Sequence, residues 1–139
     1  MSVDCFLDTN VLVYAVSGAR ADTAKRERAL ELIGSANFGL SAQVLQEFYV
    51  TVTRKLPKPL SPPDAMALMD QYLILPTVPT DYPLIAAAVE RSVEFGISYW
   101  DGAILAAAEV LGATTLYTED LSHGRQYGTV RALNPFRGV

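Results

Sequence analysis

The first sixteen residues place one carboxylate between two apolar runs. Val3 to Leu7 is short and mostly apolar, which is typical of a strand covered on both faces by helices. Val11 to Val16 is apolar again and no turn residue occurs before Gly18, so Asp8 lies where a strand gives way to a helix. Ligand sites in parallel α/β sheets gather at the carboxyl ends of strands. Asp8 is therefore either a helix cap or part of a site, and the cap is the simpler interpretation of this stretch alone.

Further along the chain, predicted helices and extended segments alternate. Capping residues and apolar periodicity predict helices over residues 21–33, 42–55, 62–72 and 83–95 and another between Ser98 and Gly112, with extended segments over 37–40, 73–78, 114–118 and 130–133. For the 21–33 helix we expect Asp22 as the N-cap and Gly34 at the end. Two prolines place the 73–78 segment at a sheet edge or strand end. The alternation predicts a parallel sheet with helices on both faces.

The composition fits one compact domain over residues 1–139, because the chain is half hydrophobic and too short for two cores. A net charge of −4 disfavours a protein that coats duplex DNA, which would present a basic face. The lone cysteine, Cys5, excludes an internal disulfide and fits a reducing compartment. The sequence has no signal-peptide pattern and no apolar stretch near the roughly 18–20 residues of a membrane span, so we expect a cytoplasmic protein without a membrane partner.

Three further acids are candidates for a site, and each also has a structural explanation. Glu47 flanks the apolar face of its helix, where it either lies at the edge of the core or points into a pocket. Asp101 comes three residues after Ser98, in the first turn of a helix rich in small residues, and fits a capping box. Asp120 directly follows a predicted strand. None of the three requires a chemical role by itself.

Together, however, the four acids are expected to meet at one edge of the sheet. Right-handed crossovers place the exits of successive parallel strands on the same edge, so Asp8 and Asp120 share it. Like charges held close together repel, and they raise each other's pKa unless a cation lies between them. A cluster with only oxygen ligands suits Mg²⁺ or Mn²⁺ better than zinc. These acids therefore predict a divalent-metal site.

Four motifs, in this order, resemble the PIN domain family, and within it the VapC-type toxins of type II toxin–antitoxin systems. They are LDTNV at residues 7–11, SAQVLQEFY at 41–49, SYWDGAI at 98–104 and LYTEDL at 116–121; NPF at 134–136 is also similar. Each motif is unspecific alone, but the four occur in the family's order and span nearly the whole chain.

The resemblance implies an α/β fold, a three-layer α/β/α sandwich around a mostly parallel sheet, and a metal-dependent endoribonuclease. The catalytic and metal-binding quartet that it implies for Mg²⁺ or Mn²⁺ is Asp8, Glu47, Asp101 and Asp120. Accompanying polar positions are matched by Thr9, Asn10, Ser98 and Thr118, and Glu119 shares or exchanges the role of Asp120. The implied partners are an RNA substrate such as tRNA or an rRNA loop, a VapB-type antitoxin and a second copy of the chain.

The expected reaction is phosphodiester hydrolysis by one or two divalent ions. Asp8, Asp101 and Asp120 hold metal, and Glu47 holds a second ion or orients the attacking water. Such an attack leaves 3′-hydroxyl and 5′-phosphate ends. The chain has a single histidine, His123, which excludes a two-histidine ribonuclease mechanism and which we expect on the surface.

Contacts with the RNA are expected from basic and aromatic side chains. The candidates to meet phosphates are Lys25, Arg26, Arg28, Arg54, Lys55 and Arg125. The candidates to stack on unpaired bases are Tyr14, Tyr99 and Trp100. For Trp100, core packing is the preferred interpretation.

Two other α/β classes also place an aspartate after the first strand. A haloacid-dehalogenase-like phosphatase needs a second aspartate two residues later, where this chain has Asn10. A receiver domain needs a lysine after a late strand, and no lysine follows Lys58. The main alternative is a PIN-like domain that binds RNA or a protein without cutting. Such a domain is expected to lack one of the acids, and all four are present.

Overall fold

The computed structural model describes residues 2–139, and within them six strands and six α-helices form an α/β fold. The strands are β1 (Cys5–Leu7), β2 (Phe38–Ser41), β3 (Thr77–Val78), β4 (Thr115–Tyr117), β5 (Gln126–Tyr127) and β6 (Val130–Leu133). The helices are α1 (Thr9–Val16), α2 (Thr23–Ser35), α3 (Ala42–Arg54), α4 (Pro62–Tyr72), α5 (Tyr82–Phe95) and α6 (Tyr99–Val110). A 3-10 turn at Arg20–Asp22 precedes α2.

The strands form one mostly parallel sheet in the order β3-β2-β1-β4-β6-β5. Strand β1 runs parallel to both β2 and β4, and β4 runs parallel to β6; only β5 is antiparallel, against β6. In the register of the two central strands, Leu7 lies opposite Tyr117. The residues that follow these strands therefore emerge side by side at one edge of the sheet.

Helices cover the sheet in two layers. Helix α1 packs against α2 and α3, and α3 packs against α4. Helix α6 packs against α5 and contacts β2, β4 and β6. The predicted three-layer α/β/α sandwich with a mostly parallel sheet is confirmed.

The centre of the molecule is buried on both faces of β1. Phe6 and Leu7 have no exposed surface, and neither has Leu116 on the neighbouring strand. Every residue of α6 from 102 to 108 is buried, because small side chains let this helix lie close to the sheet. These short strands are therefore apolar throughout, as expected for a parallel sheet between helices.

Some predicted element boundaries were wrong. Asp22 stands at the N-cap position of α2, but its carboxylate accepts a hydrogen bond from Ser17 and none from the helix. The helix also continues through Gly34 to Ser35, where the serine hydroxyl bonds to the carbonyl of Glu31. A glycine without a positive φ did not end this helix, whereas Gly96, with φ of 65°, does end α5.

The extended segments also differ from their predicted lengths. Only Thr77–Val78 of the 73–78 segment pairs in the sheet, as the edge strand β3. Strand β5 was not predicted, because two residues are too short to show a periodic pattern. Within residues 2–139, none of the helices is both long enough and apolar enough to cross a membrane.

Candidate active site

Asp8 lies at the end of β1 and is also the N-cap of α1. Its side chain is buried, with 6% of its surface exposed. Oδ1 accepts a hydrogen bond from the backbone N–H of Thr9 at 2.7 Å, and Oδ2 accepts one from the hydroxyl of Thr118 at 2.7 Å. Both carboxylate oxygens are thus held in place, so the cap and the predicted site position coincide in one residue.

Thr118 connects Asp8 to Asp120. It follows β4 at the same level at which Asp8 follows β1, and it is 1% exposed. Besides donating to Asp8, its hydroxyl accepts a hydrogen bond from the backbone N–H of Asp120 at 3.1 Å. One buried hydroxyl therefore positions the carboxylate of one predicted site residue and the backbone of another.

Asp101 lies half-buried in the first turn of α6. Its backbone N–H donates to the hydroxyl of Ser98 at 3.1 Å, which confirms Ser98 as the N-cap. The next residue, Gly102, lets α5 and α6 approach closely, because a Cβ there would lie 2.5 Å from the carbonyl oxygen of Ala88. The position of Asp101 is thus set by the helix cap and by the contact between α5 and α6.

Glu47 lies on the second turn of α3, which begins at the Ser41 cap. The side chain is exposed and lines a cleft. Of the two predicted placements, at the edge of the core or in a pocket, the pocket is therefore correct. One turn earlier, the amide of Gln43 donates to Glu47 at 2.9 Å and to the backbone carbonyl of Trp100 at 3.4 Å. Gln43 therefore links α3 to the first turn of α6.

A cleft of about 450 Å³ opens where these elements meet. Its lining residues are Gln43, Gln46, Glu47, Trp100, Asp101 and Asp120. Three of the four predicted acids thus face one cleft, although the first and last of them, Glu47 and Asp120, are 73 residues apart in the sequence. Their side chains come from α3, from α6 and from the loop after β4.

The charges of the four acids act on one another. Burial raises the pKa of Asp8 to about 7; hydrogen bonds from Thr118 and Thr9 oppose the shift, and the charges of Asp120 and Glu47 add to it. Burial also raises the pKa of Asp101, against the hydrogen bond to Ser98, and the charge of Asp120 contributes to this shift. Asp8 and Asp101 are therefore both sensitive to the same neighbour, Asp120, which places all four acids in one electrostatic unit.

Trp100 lies on the lip of this cleft, and the preferred prediction that it packs in the core was wrong. The indole is 66% exposed. Buried positions of α6 begin only at residue 102. Tyr99, beside it, packs at right angles to its ring, with the two ring centres 5.0 Å apart.

Among the predicted supporting residues, Asn10 and Glu119 belong to a different cluster. Glu119 accepts hydrogen bonds from the hydroxyl of Tyr14 at 2.8 Å and from the amide of Asn10 at 3.3 Å, and it lies 3.5 Å from Lys25 Nζ. These partners are on α1 and α2, and none of them lines the cleft. Of the two adjacent acids after β4, Asp120 faces the cleft and Glu119 faces the helices.

Thr9 contacts the site through its backbone and not through its hydroxyl. Its backbone N–H holds Asp8, but its hydroxyl is buried without a hydrogen-bond partner, and no other buried side-chain polar atom in residues 2–139 lacks one. Thr118 and Ser98, in contrast, bond directly to site residues. Three of the five predicted supporting residues thus contact the acids, and Asn10 and Glu119 do not.

The chemistry of the four acids fits Mg²⁺ or Mn²⁺. They offer only carboxylate oxygens, and within residues 2–139 none of them forms an ion pair with a lysine or arginine. A cation between them would offset the repulsion that contributes to the raised pKa of Asp8. In the described part of the chain, no three histidine, cysteine or acidic side chains are arranged to hold one ion. The ligands are therefore suitable in kind but do not surround a single point.

Most of the predicted phosphate-binding cations are engaged elsewhere. Lys25 lies beside Glu119, Arg26 donates to the carbonyl of Ser17, and Arg28 donates to Glu31 and to the carbonyl of Pro135. The guanidinium of Arg125 lies 4.5 Å from the ring centre of Tyr127. Arg54 and Lys55, exposed at the end of α3, form no ion pair within residues 2–139.

His123 is exposed, as predicted, and it has a structural contact. Its Nδ1 accepts a hydrogen bond from the backbone N–H of Asn134 at 2.9 Å, which joins the loop after β4 to the turn after β6. That turn is closed by Asn134, whose side-chain oxygen accepts from the N–H of Phe136. His123 does not line the cleft.

Gln43 and Gln46 were not predicted as site residues. Gln43 is four residues before Glu47 on the same helix, and this spacing alone would have placed the two side chains in contact. Gln46 has no comparable signal, because no acid lies three or four residues from it on α3.

The sequence from residue 5 to residue 127 matches the family model of the PIN domain, and the chain belongs to this family. The matched range contains Asp8, Glu47, Asp101 and Asp120. A comparison with curated proteins finds no match.

Solved structures with the same fold include three from toxin–antitoxin systems. A toxin–antitoxin complex from Klebsiella pneumoniae has a TM-score of 0.70 at 16% identity and covers 96% of this chain and 98% of its own. VapC20 of Mycobacterium tuberculosis, a toxin that cleaves the sarcin–ricin loop, has a TM-score of 0.65 at 21% identity, over 84% and 90%. VapBC2 from Rickettsia felis, bound to promoter DNA, has a TM-score of 0.60 at 19% identity, over 92% and 96%. At these identities, the likeness concerns the fold.

Proposed function

We propose that this chain is a Mg²⁺- or Mn²⁺-dependent endoribonuclease that hydrolyses phosphodiester bonds of RNA in the cytoplasm. The observation that carries this proposal is the cleft, which Glu47, Asp101 and Asp120 line while Asp8 lies within electrostatic reach of two of them. Membership of the PIN family supports it, as does the fold shared with a toxin that cleaves the sarcin–ricin loop. Total tRNA and rRNA are the substrates to test first.

In this proposal, Asp8, Asp101 and Asp120 hold the metal, and Glu47 holds a second ion or orients the attacking water. When bound, the divalent ion lowers the pKa of water and neutralises charge that develops on the phosphate. Thr118 and the N–H of Thr9 keep the carboxylate of Asp8 in position. Gln43 keeps Glu47 on the cleft side of α3, where it can accept a proton from water. The expected products carry 3′-hydroxyl and 5′-phosphate ends.

Lys55 is the cation best placed to meet a phosphate of the RNA. A second depression, of about 260 Å³, lies next to the cleft and shares Gln46 and Glu47 with it. Lys55, further along α3, also lines this depression. Since Lys55 forms no ion pair within residues 2–139, its charge is available to a ligand. An RNA strand that leaves the acids along α3 would pass this residue.

We propose that the protein partner is an antitoxin of the VapB type. The structures from K. pneumoniae and R. felis are complexes of toxin–antitoxin systems, which supports this partner. On this chain, an apolar groove of about 580 Å³ between α3 and α4 is lined by Leu45, Tyr49, Met66 and Met69, and it shares Gln46 with the cleft. A peptide lying in this groove would reach the acids.

We also propose that the chain forms a homodimer, through α5. One side of this helix presents Tyr82, Ile85, Val89 and Val93, which are 36–78% exposed. Their spacing places them on one stripe, roughly a third of a turn from the side that carries the buried Leu84 and Ala88. Light scattering of the purified chain and of Val93→Glu would test this assignment.

The test of the function is RNA cleavage by the purified chain. We expect discrete fragments from total tRNA or rRNA with Mg²⁺ or Mn²⁺, no fragments with EDTA, and a loss of at least about a hundredfold in Asp8→Asn. The matched control is Asp70→Asn, which removes an exposed carboxylate of α4 that lies outside the cleft. It should cleave like the unchanged chain.

Two outcomes would contradict the proposal. Cleavage that survives both EDTA and Asp8→Asn would show that the activity comes from elsewhere. A folded chain that binds RNA with the divalent ion present, yet cuts neither tRNA nor rRNA, would favour the alternative of a PIN-like domain that binds without cutting.

A further inference from the structure

We infer that Trp100 is a base-binding residue of the cleft, whose indole stacks on an unpaired base of the RNA beside the scissile phosphate. The inference rests on the proposed ribonuclease function and specifies its substrate as a strand that is not base-paired at the cut. It follows from the placement, the exposure and the surroundings of this one side chain.

The exposure of Trp100 is unusual for its position in the fold. Its chain neighbour Asp101 is half-buried, and the buried stretch of α6 starts one residue later. The indole nevertheless keeps 66% of its surface exposed and lines the same cleft as Glu47 and Asp120. A large aromatic surface is therefore offered to whatever the acids act on.

Two contacts within the chain also restrain the indole and the turn that carries it. The Tyr99 ring packs at right angles to it, with the ring centres 5.0 Å apart. The backbone carbonyl of Trp100 accepts a hydrogen bond from Gln43, so the turn that carries the indole is tied to α3. A restrained aromatic side chain loses less conformational entropy when a base stacks on it than an unrestrained one would.

The rest of the cleft explains why a neutral aromatic contact is needed. Its charged lining residues are Glu47, Asp101 and Asp120, which repel phosphates. Among residues 2–139, no lysine or arginine lines this cleft. Stacking on an indole adds affinity without a charge, and every base has a face that can stack. Bases inside a duplex are already stacked on their neighbours, so this contact selects an unpaired segment such as a loop.

The first experiment measures binding with the protein's own fluorescence, since Trp100 is its sole tryptophan. Asp8→Asn, which should bind RNA without cutting it, is titrated in Mg²⁺ with a short single-stranded RNA of mixed sequence, and separately with the same RNA annealed to its complement. We expect the single strand to quench the emission and the duplex to leave it unchanged. The anisotropy of an end-labelled RNA reports binding independently.

Two results of this titration would overturn the inference. One is saturated binding by anisotropy with no change in the emission of Trp100. The other is an emission change that follows protein concentration instead of RNA, because Trp100 would then belong to a contact between two copies of the chain.

The second experiment measures cleavage of a loop-containing RNA. Trp100→Leu keeps an apolar side chain but removes the ring, and should raise KM roughly tenfold or more while kcat changes little. Trp100→Phe should restore most of the affinity, which a loss of folding would not allow. Val110→Ala, which removes apolar surface that is 64% exposed at the other end of α6, is the matched control. An unchanged KM in Trp100→Leu would overturn the inference and leave the ribonuclease function standing. Absence of cleavage by the unchanged chain would instead count against the ribonuclease function. In that case the fluorescence titration would still decide the role of Trp100.

Discussion

The floor and the rim of the cleft are built in different ways. The floor is formed by Asp8 and Thr118, which follow the two central strands, are almost fully buried and bond to each other at 2.7 Å. The rim is formed by Glu47, Trp100 and Asp120, which project from helices or a loop and are exposed. The floor therefore depends on the packing of the sheet, while the side chains of the rim are largely in contact with water.

This difference allows mutations to separate two properties, the free energy of unfolding and RNA cleavage. A substitution in the floor alters a buried hydrogen bond or a buried charge, so it should change the free energy of unfolding as well as cleavage. A substitution in the rim alters a group already in contact with water, so it should change cleavage and leave stability nearly constant. Each of the following expectations tests one side of this division.

The largest effect on stability is expected for Asp8→Asn, and it should depend on pH. The pKa of Asp8 is raised from 3.8 to about 7 in the folded chain, so folding favours its protonated form. The contribution of this group is fully present below about pH 4 and is lost as the pH rises through 7. Asparagine carries no charge to bury, so in EDTA the variant should be more stable than the unchanged chain at pH 8, by on the order of a few kcal/mol.

Urea unfolding of both proteins from pH 4 to pH 8 checks this expectation. The difference between the two free energies of unfolding should shrink towards zero as the pH falls, and Mg²⁺ at pH 8 should stabilise only the unchanged chain. A difference that stays constant with pH would mean that Asp8 is not a strained buried carboxylate in the metal-free protein.

Thr118→Val should have the next largest effect. The substitution keeps the shape of the side chain but removes the hydroxyl that donates to Asp8 and accepts from the N–H of Asp120. Because the buried carboxylate of Asp8 and the N–H of Asp120 both lose their partner, the free energy of unfolding should fall by about 1–3 kcal/mol, and cleavage should fall with it. Thr118→Ser retains the hydroxyl and is the control. If valine and serine behaved alike in thermal unfolding, the link between floor residues would not contribute to stability.

Asp8 and the helix caps were predictable from the sequence because their signals are local. Asp8, Ser41 and Ser98 each precede a helix and accept a hydrogen bond from its first N–H groups, and this requirement shows in the spacing of the residues. The alternation of strands and helices then placed Asp8 and Asp120 at one edge. The parallel sheet and its two helical layers followed from the same pattern.

The rim was less predictable because it depends on where each element stops. Periodicity assigns Trp100 to a helix, but only the three-dimensional structure shows that its indole is exposed at the cleft. Glu119 and Asp120 are adjacent acids after the same strand, and their opposite directions are set by the backbone of the turn. Strand β5 contains two residues and pairs only through the tertiary structure.

Glu119→Gln distinguishes the two acids that follow β4. The carboxylate of Glu119 lies 3.5 Å from Lys25 Nζ, and both side chains are partly exposed, so its replacement should cost no more than about 1 kcal/mol. The amide oxygen can still accept from Tyr14. Cleavage should persist in Glu119→Gln and be lost in Asp120→Asn. Equal loss in both variants, measured on the same RNA, would show that Glu119 also acts on the metal or the substrate.

Glu47→Gln should have the smallest effect on stability and a large effect on cleavage. The side chain is exposed, its hydrogen bond comes from Gln43 on the same helix, and the replacement keeps an oxygen that can accept it. The free energy of unfolding should therefore change by no more than about 0.5 kcal/mol. Cleavage should fall by about a hundredfold or more, because an amide neither accepts a proton from water nor carries the charge that holds an ion.

The control is Glu90→Gln, which replaces an exposed acid of α5 and should change neither the free energy of unfolding nor cleavage. A Glu47→Gln variant that unfolds more easily but cuts RNA at the normal rate would reverse the assignment of floor and rim, because Glu47 would then act in folding and not in the reaction.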